Sequence, residues 1–158
     1  MMDDFNADNE KIEAALLGKV PMTVLHDETI EEACTTRVLD MDAEGWANHM
    51  IVLIRVFPTP TYNNSGLYFD IGSSSANASH RDLLTTQDTK RENLFYSHLD
   101  HSTTLALFPI KGSNRIHALA FDPSSLYYGT SEKGYHTEKM TLYSNFKGGE
   151  RIQVLGIL

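Results

Sequence analysis

The chain has 158 residues, a formal net charge of −8 and one cysteine. This length corresponds to a single domain, and a hydrophobic content of 41% is sufficient for a core of its own. The acidic balance disfavours nucleic acid and anionic membrane surfaces as partners, because both require clustered lysine and arginine. With Cys34 as the single cysteine, an intrachain disulfide framework is excluded.

The start of the chain does not resemble a targeting segment. Its first ten residues, MMDDFNADNE, are acidic, whereas a secretory signal begins with a basic region. The most apolar run, Met50–Val56, is interrupted by Arg55 and is too short to span a bilayer. We therefore expect a soluble protein that is made in the cytoplasm.

Residues 5–17 have the pattern of a short amphipathic helix. Their apolar stripe consists of Phe5, Ile12, Ala15 and Leu16. A helix of about twelve residues is marginal alone in water and needs a surface to pack against. The stripe therefore predicts either packing on its own domain or association of several copies as a short coiled-coil stalk. On this basis residues 1–20 form a helical attachment or oligomerisation segment.

From residue 21 onwards the pattern changes to short β-rich runs separated by turn residues. This pattern, without intervening helices, predicts an all-β fold, a jelly-roll-like antiparallel β-sandwich over residues 21–158. The uniformly apolar Met50–Ile54 indicates a central strand that is covered on both faces. Ser79–Lys90 could be a short helix or a long loop, and we favour the loop. The predicted strands are Met22–Leu25, Ala33–Leu39, His49–Phe57, Leu67–Ile71, Leu94–Leu99, Thr103–Ile110, Ile116–Phe121, Lys139–Tyr143 and Arg151–Ile157.

The last residues, TLYSNFKGGERIQVLGIL, contain two apolar runs joined by a turn. Two such runs around Gly148-Gly149 predict a closing β-hairpin. The two glycines are not followed by the lysine and Ser/Thr of a phosphate-binding loop, so we assign them to the turn alone.

The sequence contains no recognisable catalytic constellation. Of its seven histidines, His98 and His101 are the nearest pair, but on one strand they would point to opposite faces. There is no G-x-S-x-G motif, and Cys34 lies in an alternating strand as a small buried hydrophobe. We therefore expect no catalytic residue, no metal, no cofactor and no enzymatic activity.

Several aromatic residues fall in or beside predicted turns, where binding residues concentrate. Rings flanked by asparagine and serine could stack on the face of a sugar. Alternatively they cap the ends of the core, which we favour, and Trp46 fits a core lid equally well. These weak candidates for carbohydrate binding are Trp46, Tyr62, Tyr127 and Tyr128.

Two segments resemble proteins of bacteriophage virions. The opening DFNADNEKIEAAL, Asp4–Leu16, is similar to a helical segment in tail and fibre proteins of phages that infect Gram-positive bacteria. The ending, from Met140 to Ile157, is similar to the closing hairpin of small virion β-sandwich domains, which often follow an I-T-L-Y-G…F-x-x-G-x-x-I-x-L-Y-G pattern. This chain departs from that pattern at Ser144, in place of the first glycine, and at Leu155, in place of the second tyrosine.

The resemblance implies a non-enzymatic structural protein of the virion: a head fibre, a capsid decoration or a tail or baseplate fibre protein. It implies display as a homotrimer, with capsid or tail proteins bound through the N-terminal segment. A carbohydrate-binding module, either a host-receptor binder or lectin-like, is the alternative. The expected oligomer interface is the stripe Phe5, Ile12, Ala15 and Leu16.

Overall fold

The computed structural model of the protein describes residues 22–71, 78–82, 88–91, 95–109, 116–122, 125–131 and 139–158. Residues 1–20, and with them the predicted helix, lie outside the described residues. Across the described ranges, no helix is long and apolar enough to cross a membrane.

The described residues form two antiparallel sheets, so the predicted all-β sandwich is confirmed. The large sheet has eight strands in the order β1-β12-β3-β8-β9-β10-β5-β6, and the small sheet has four in the order β2-β11-β4-β7. The strands are β1 (Met22–Thr29), β2 (Cys34–Asp40), β3 (Ile51–Phe57), β4 (Gly66–Ile71), β5 (Ala78–Asp82), β6 (Asp88–Arg91), β7 (Phe95–His98), β8 (Thr103–Pro109), β9 (Ile116–Asp122), β10 (Ser125–Ser131), β11 (Lys139–Phe146) and β12 (Arg151–Ile157).

The core lies between the two sheets and is built by alternation along the strands. In β3, Val52, Ile54 and Val56 are buried, whereas the residues between them are half-buried. The same period of two buries Leu67 and Phe69 of β4. β3 pairs with β12 and β8, which confirms its predicted central position.

Three strands of the structure, β5, β6 and β10, were not predicted from the sequence. We expected a loop over Ser79–Lys90, but β5 and β6 pair with each other there, so that prediction was wrong. β10 was also missed, because its Ser, Gly and Thr residues were assigned to turns; it pairs with β9 along its whole length. These strands are held by backbone hydrogen bonds to a neighbouring strand, and their sequences lack the apolar alternation that predicts a strand.

The predicted closing hairpin is also wrong. β11 pairs with β2 and β4 in the small sheet, whereas β12 pairs with β1 and β3 in the large sheet. Between them the chain crosses from one sheet to the other through Gly148 and Gly149, whose φ angles are 95° and 98°. A Cβ at Gly148 would lie 2.9 Å from the carbonyl oxygen of Glu31, so both conformation and space require glycine there.

A buried carboxylate, that of Glu150, holds this crossing in place. Glu150 has 0% of its surface exposed. Its Oε1 accepts hydrogen bonds from the Lys147 amide and from Asn63 Nδ2, both at 3.1 Å. Its Oε2 accepts one from the Gly148 amide at 2.9 Å. The Glu150 backbone carbonyl accepts the Ile30 amide at 2.8 Å, which brings the turn between β1 and β2 to the same corner.

The donors around Glu150 decide its charge. Burial by itself would raise the pKa of this carboxyl group. The amides of Lys147, of Glu150 itself and of Gly148, together with the Asn63 side chain, outweigh burial and hold the pKa below its ordinary 4.5. The group is therefore a carboxylate at neutral pH, and hydrogen-bond donors stabilise its charge.

Glu150→Gln should destabilise the protein by about 1–3 kcal/mol, because an amide NH₂ would face backbone N–H groups that need an acceptor. Urea unfolding at pH 7 measures the change. Glu32→Gln, at an exposed position in the turn between β1 and β2, is the matched control and should change stability by less than about 0.5 kcal/mol.

The comparison of wild type with Glu150→Gln also gives a prediction about the pH dependence of stability. Because the folded pKa of Glu150 lies below 4.5, its carboxylate stabilises the fold at neutral pH and loses that effect as the pH falls through the folded pKa. The stability gap between wild type and Glu150→Gln should therefore narrow in acid. A gap that stays constant down to the acid unfolding transition would contradict this role of the charge.

Candidate functional site

The outer face of the small sheet carries three tyrosines in register, which we call the tyrosine row: Tyr143 on β11, Tyr68 on β4 and Tyr96 on β7. Their sequence neighbours Leu142 and Phe69 point into the core, so the tyrosines point outwards. Neighbouring strands lie about 4.8 Å apart, so the row extends over roughly 10 Å.

Gly66 makes room for the aromatic rings. A Cβ at this position would lie 2.9 Å from Cε2 of Tyr96 and 3.2 Å from Cε2 of Tyr68. Both rings therefore lean over the bare backbone of Gly66. The two ring centroids are 4.7 Å apart at an interplanar angle of 44°, a tilted pair that keeps the rings in mutual contact.

His98 orients the hydroxyl group at the end of the row. Its Nδ1 lies 3.1 Å from the carbonyl oxygen of Asn64, and a carbonyl can only accept, so Nδ1 carries the proton. In the neutral ring Nε2 is then an acceptor, and the Tyr96 hydroxyl donates to it at 3.0 Å. This chain of hydrogen bonds fixes the hydroxyl of Tyr96 and leaves its oxygen lone pairs for a further donor.

The tyrosine row is accessible and only weakly charged. Tyr68 and Tyr143 are 39% and 40% exposed, high values for strand aromatics of this size. Farther along the same face, Lys139 lies opposite Asp40 across β11 and β2. The surface thus combines flat apolar rings with hydroxyl groups, which suits a ligand with one apolar face and polar edges.

The predicted aromatic candidates are not assembled into one site. Trp46 is fully buried and donates from Nε1 to Glu44 Oε2 at 2.8 Å, so it belongs to the core, as the lid alternative expected. Tyr62 is 71% exposed in the loop between β3 and β4. Tyr128 lies on the large sheet and is hydrogen-bonded to His117. Tyr127 lies in β10, and its side chain is outside the described residues.

The predicted interface residues and the histidine pair do not form a common site either within the described residues. Phe5, Ile12, Ala15 and Leu16 lie outside the described residues. His98 and His101 are both described, but His98 contacts Tyr96 whereas His101 contacts Asp100 and Ser97. Among the described residues, no group of three or more His, Cys, Asp or Glu side chains is placed to hold a metal ion.

The sequence alone does not predict the tyrosine row. Alternation in Leu67–Ile71 places Leu67 and Phe69 inwards and therefore Tyr68 outwards, so one member was within reach. The other two become its neighbours only through the register of β4 with β11 and β7. That register depends on sheet order, which a single sequence does not contain.

No protein-family model and no curated protein sequence matches the chain. Several solved structures are similar to it at low identity. The IT-sialidase CBM40 of Ruminococcus gnavus, bound to α2,3-sialyllactose, is 10% identical over 85% of this chain and 92% of that one, with a TM-score of 0.36. The galectin LEC-6 of Caenorhabditis elegans is 9% identical over 84% and 95%, with a TM-score of 0.38.

A third similar structure is the SPBc2 prophage-derived protein YomS, 8% identical over 86% of this chain and 93% of that one, with a TM-score of 0.29. The chain spans only 26% of the length of a leech intramolecular trans-sialidase that it also matches. At TM-scores this low, none of these similarities defines a ligand or a partner for this chain.

Gly66→Ala should displace the rings of Tyr68 and Tyr96, because the added methyl group would overlap with Cε2 of Tyr96. We expect shifted aromatic NMR signals for both tyrosines and a changed near-ultraviolet circular dichroism spectrum. Val38→Ala, at a position 54% exposed on the same face, is the control. Unchanged tyrosine signals in Gly66→Ala would contradict the packing of the rings over this glycine.

Proposed function

We propose that the chain is a non-enzymatic carbohydrate-binding protein whose ligand lies on the tyrosine row. One observation carries the proposal: three tyrosines are aligned in register on an exposed sheet face, with two rings set against a glycine and one hydroxyl oriented by His98. A sugar ring has an apolar face of C–H groups and a rim of hydroxyls, which matches flat rings bordered by hydroxyl groups.

The charge of the surface favours neutral sugars. Asp40 and Asp70 both occupy the outer face of the small sheet, where the alternation of β2 and β4 puts them. Lys139 stands opposite Asp40 and offsets one of these charges. The whole chain carries a net charge of −8. A carboxylate- or phosphate-bearing glycan would meet like charge here. The outward residues of the four described strands also include no arginine, whose forked side chain usually recognises such groups.

The test is a glycan array of neutral and acidic oligosaccharides, followed by titration calorimetry with the strongest neutral ligand. Tyr68→Ala and Tyr143→Ala should each weaken binding about 2- to 13-fold, because an aromatic contact is worth about 0.5–1.5 kcal/mol. Phe121→Ala is the matched control: this ring is 43% exposed on the opposite sheet and should leave the affinity unchanged.

The outcomes separate the parts of the proposal. Binding that survives both tyrosine substitutions would place the ligand elsewhere. Hits confined to acidic glycans would refute the preference for neutral sugars and keep the site. An array without any hit would refute the carbohydrate-binding function itself.

Display on a bacteriophage particle is the second candidate function, and the similarity of the opening segment, Asp4–Leu16, to phage tail and fibre proteins favours it. In the closing segment, Phe146 and Ile152 are buried and Gly149 has a φ of 98°. In this chain the closing segment crosses between the sheets and does not form the hairpin of the virion domains that its sequence resembles. Antibodies against the chain should label purified phage particles from a lysate that carries this gene; unlabelled particles would contradict the role. The homotrimer stays a prediction of that similarity, and a monomer mass in solution would contradict it.

A further inference from the structure

The outer face of the large sheet carries a continuous apolar row, which we call the aliphatic row: Val24, Leu155, Leu53, Ala106 and Leu119. These residues are in register across β1, β12, β3, β8 and β9. Their neighbours in sequence, such as Val154, Ile54 and Leu105, belong to the core, so the aliphatic row faces the other way.

Two members of the aliphatic row are less exposed than side chains on a solvated sheet face usually are. Leu155 is 8% exposed and Ala106 is 4% exposed, yet neither belongs to the core cluster between the sheets. At the sheet edge, Val24 is 58% exposed and Met22, two residues earlier on the same face, is 56% exposed. An antiparallel sheet with one core face usually has polar residues on the other, so this face is built to be covered.

We propose that the amphipathic segment 5–17 of the same chain covers the aliphatic row. The point of attachment supports this occupant, since 21 residues precede Met22 and join β1 at the edge where the row begins. A helix of about twelve residues is roughly 18 Å long. The distance from β1 across β12 and β3 to β8 is about 14 Å, so Phe5, Ile12 and Leu16 can reach along the row.

Charge supports the same occupant. Residues 3–13 contain five acidic side chains and one lysine. On the covered face, β3 presents Arg55, whose guanidinium lies 4.7 Å from the centroid of the Phe57 ring. An acidic segment laid across β3 would bring carboxylates towards this cation, while its apolar stripe meets Leu53 and Leu155.

The proposal assigns the stripe to an intramolecular contact in place of the stalk that the sequence also allowed. A nitroxide at position 13, introduced with Glu13→Cys in a Cys34→Ala background, reports where the segment lies without altering the stripe. In the first sample, ¹⁵N-labelled molecules carry the nitroxide and are diluted with unlabelled protein that has none. In the second, ¹⁵N-labelled molecules without nitroxide are mixed with unlabelled molecules that carry it.

We expect the first sample to lose amide signals on β12, β3 and β8, and to keep those of β11 and β4 in the small sheet. Ile12→Asp with Leu16→Asp should restore the lost signals. Light scattering of the intact chain should give the monomer mass of 17.7 kDa. Signal loss on β12, β3 and β8 in the second sample, together with a larger mass, would instead assign the face to a second copy. Loss confined to the small sheet, or no localised loss, would also overturn the proposal.

Discussion

The buried carboxylate of Glu150 is the constraint on which the rest of the sandwich depends. Three segments that connect the large sheet to the small one meet at this residue. The turn between β1 and β2 contributes the Ile30 amide, the loop between β3 and β4 contributes Asn63, and the crossing between β11 and β12 contributes the Lys147 and Gly148 amides. A backbone that changes sheets loses its ladder partners, so its polar groups need another acceptor. The Glu150 carboxylate accepts from the crossing and from the Asn63 side chain, and the backbone carbonyl of the same residue accepts the Ile30 amide.

This corner also sets the geometry of the tyrosine row. Asn63 donates to Glu150 and to the Asn145 carbonyl of β11, which fixes the start of the segment that leads into β4. The next residue, Asn64, presents the carbonyl that orients His98, and two residues later Gly66 provides the space for the tyrosine rings. A change at Glu150 should therefore affect the tyrosine row through the four consecutive residues 63–66, without a direct contact to any tyrosine.

The sequence predicted the fold class because burial along each strand leaves a period of two, as in Leu67 and Phe69. It could not predict β5, β6 and β10, whose pairing depends on backbone groups of neighbouring strands. The Gly148-Gly149 turn led to the wrong prediction of a hairpin for a similar reason. A glycine turn between two apolar runs fits both a hairpin and a crossing between sheets, and only the burial of Glu150 distinguishes them. The tyrosine row depends in addition on sheet order, so only Tyr68 was foreseeable as an outward residue, whereas Trp46 left the choice between core and surface open.

The two outer faces of the sandwich differ in a way that connects both proposals. On the small sheet the outward side chains are aromatic with polar ends, which can remain in water and still offer a surface for stacking. On the large sheet they are aliphatic, as in the half-buried Leu53 and Leu119, and a cover that removes them from water stabilises the fold. A ligand that binds reversibly suits the first face, whereas the second requires a permanent cover. The amphipathic segment 5–17 joins the chain at the edge of the second face, and its packing there would leave the tyrosine row as the accessible face.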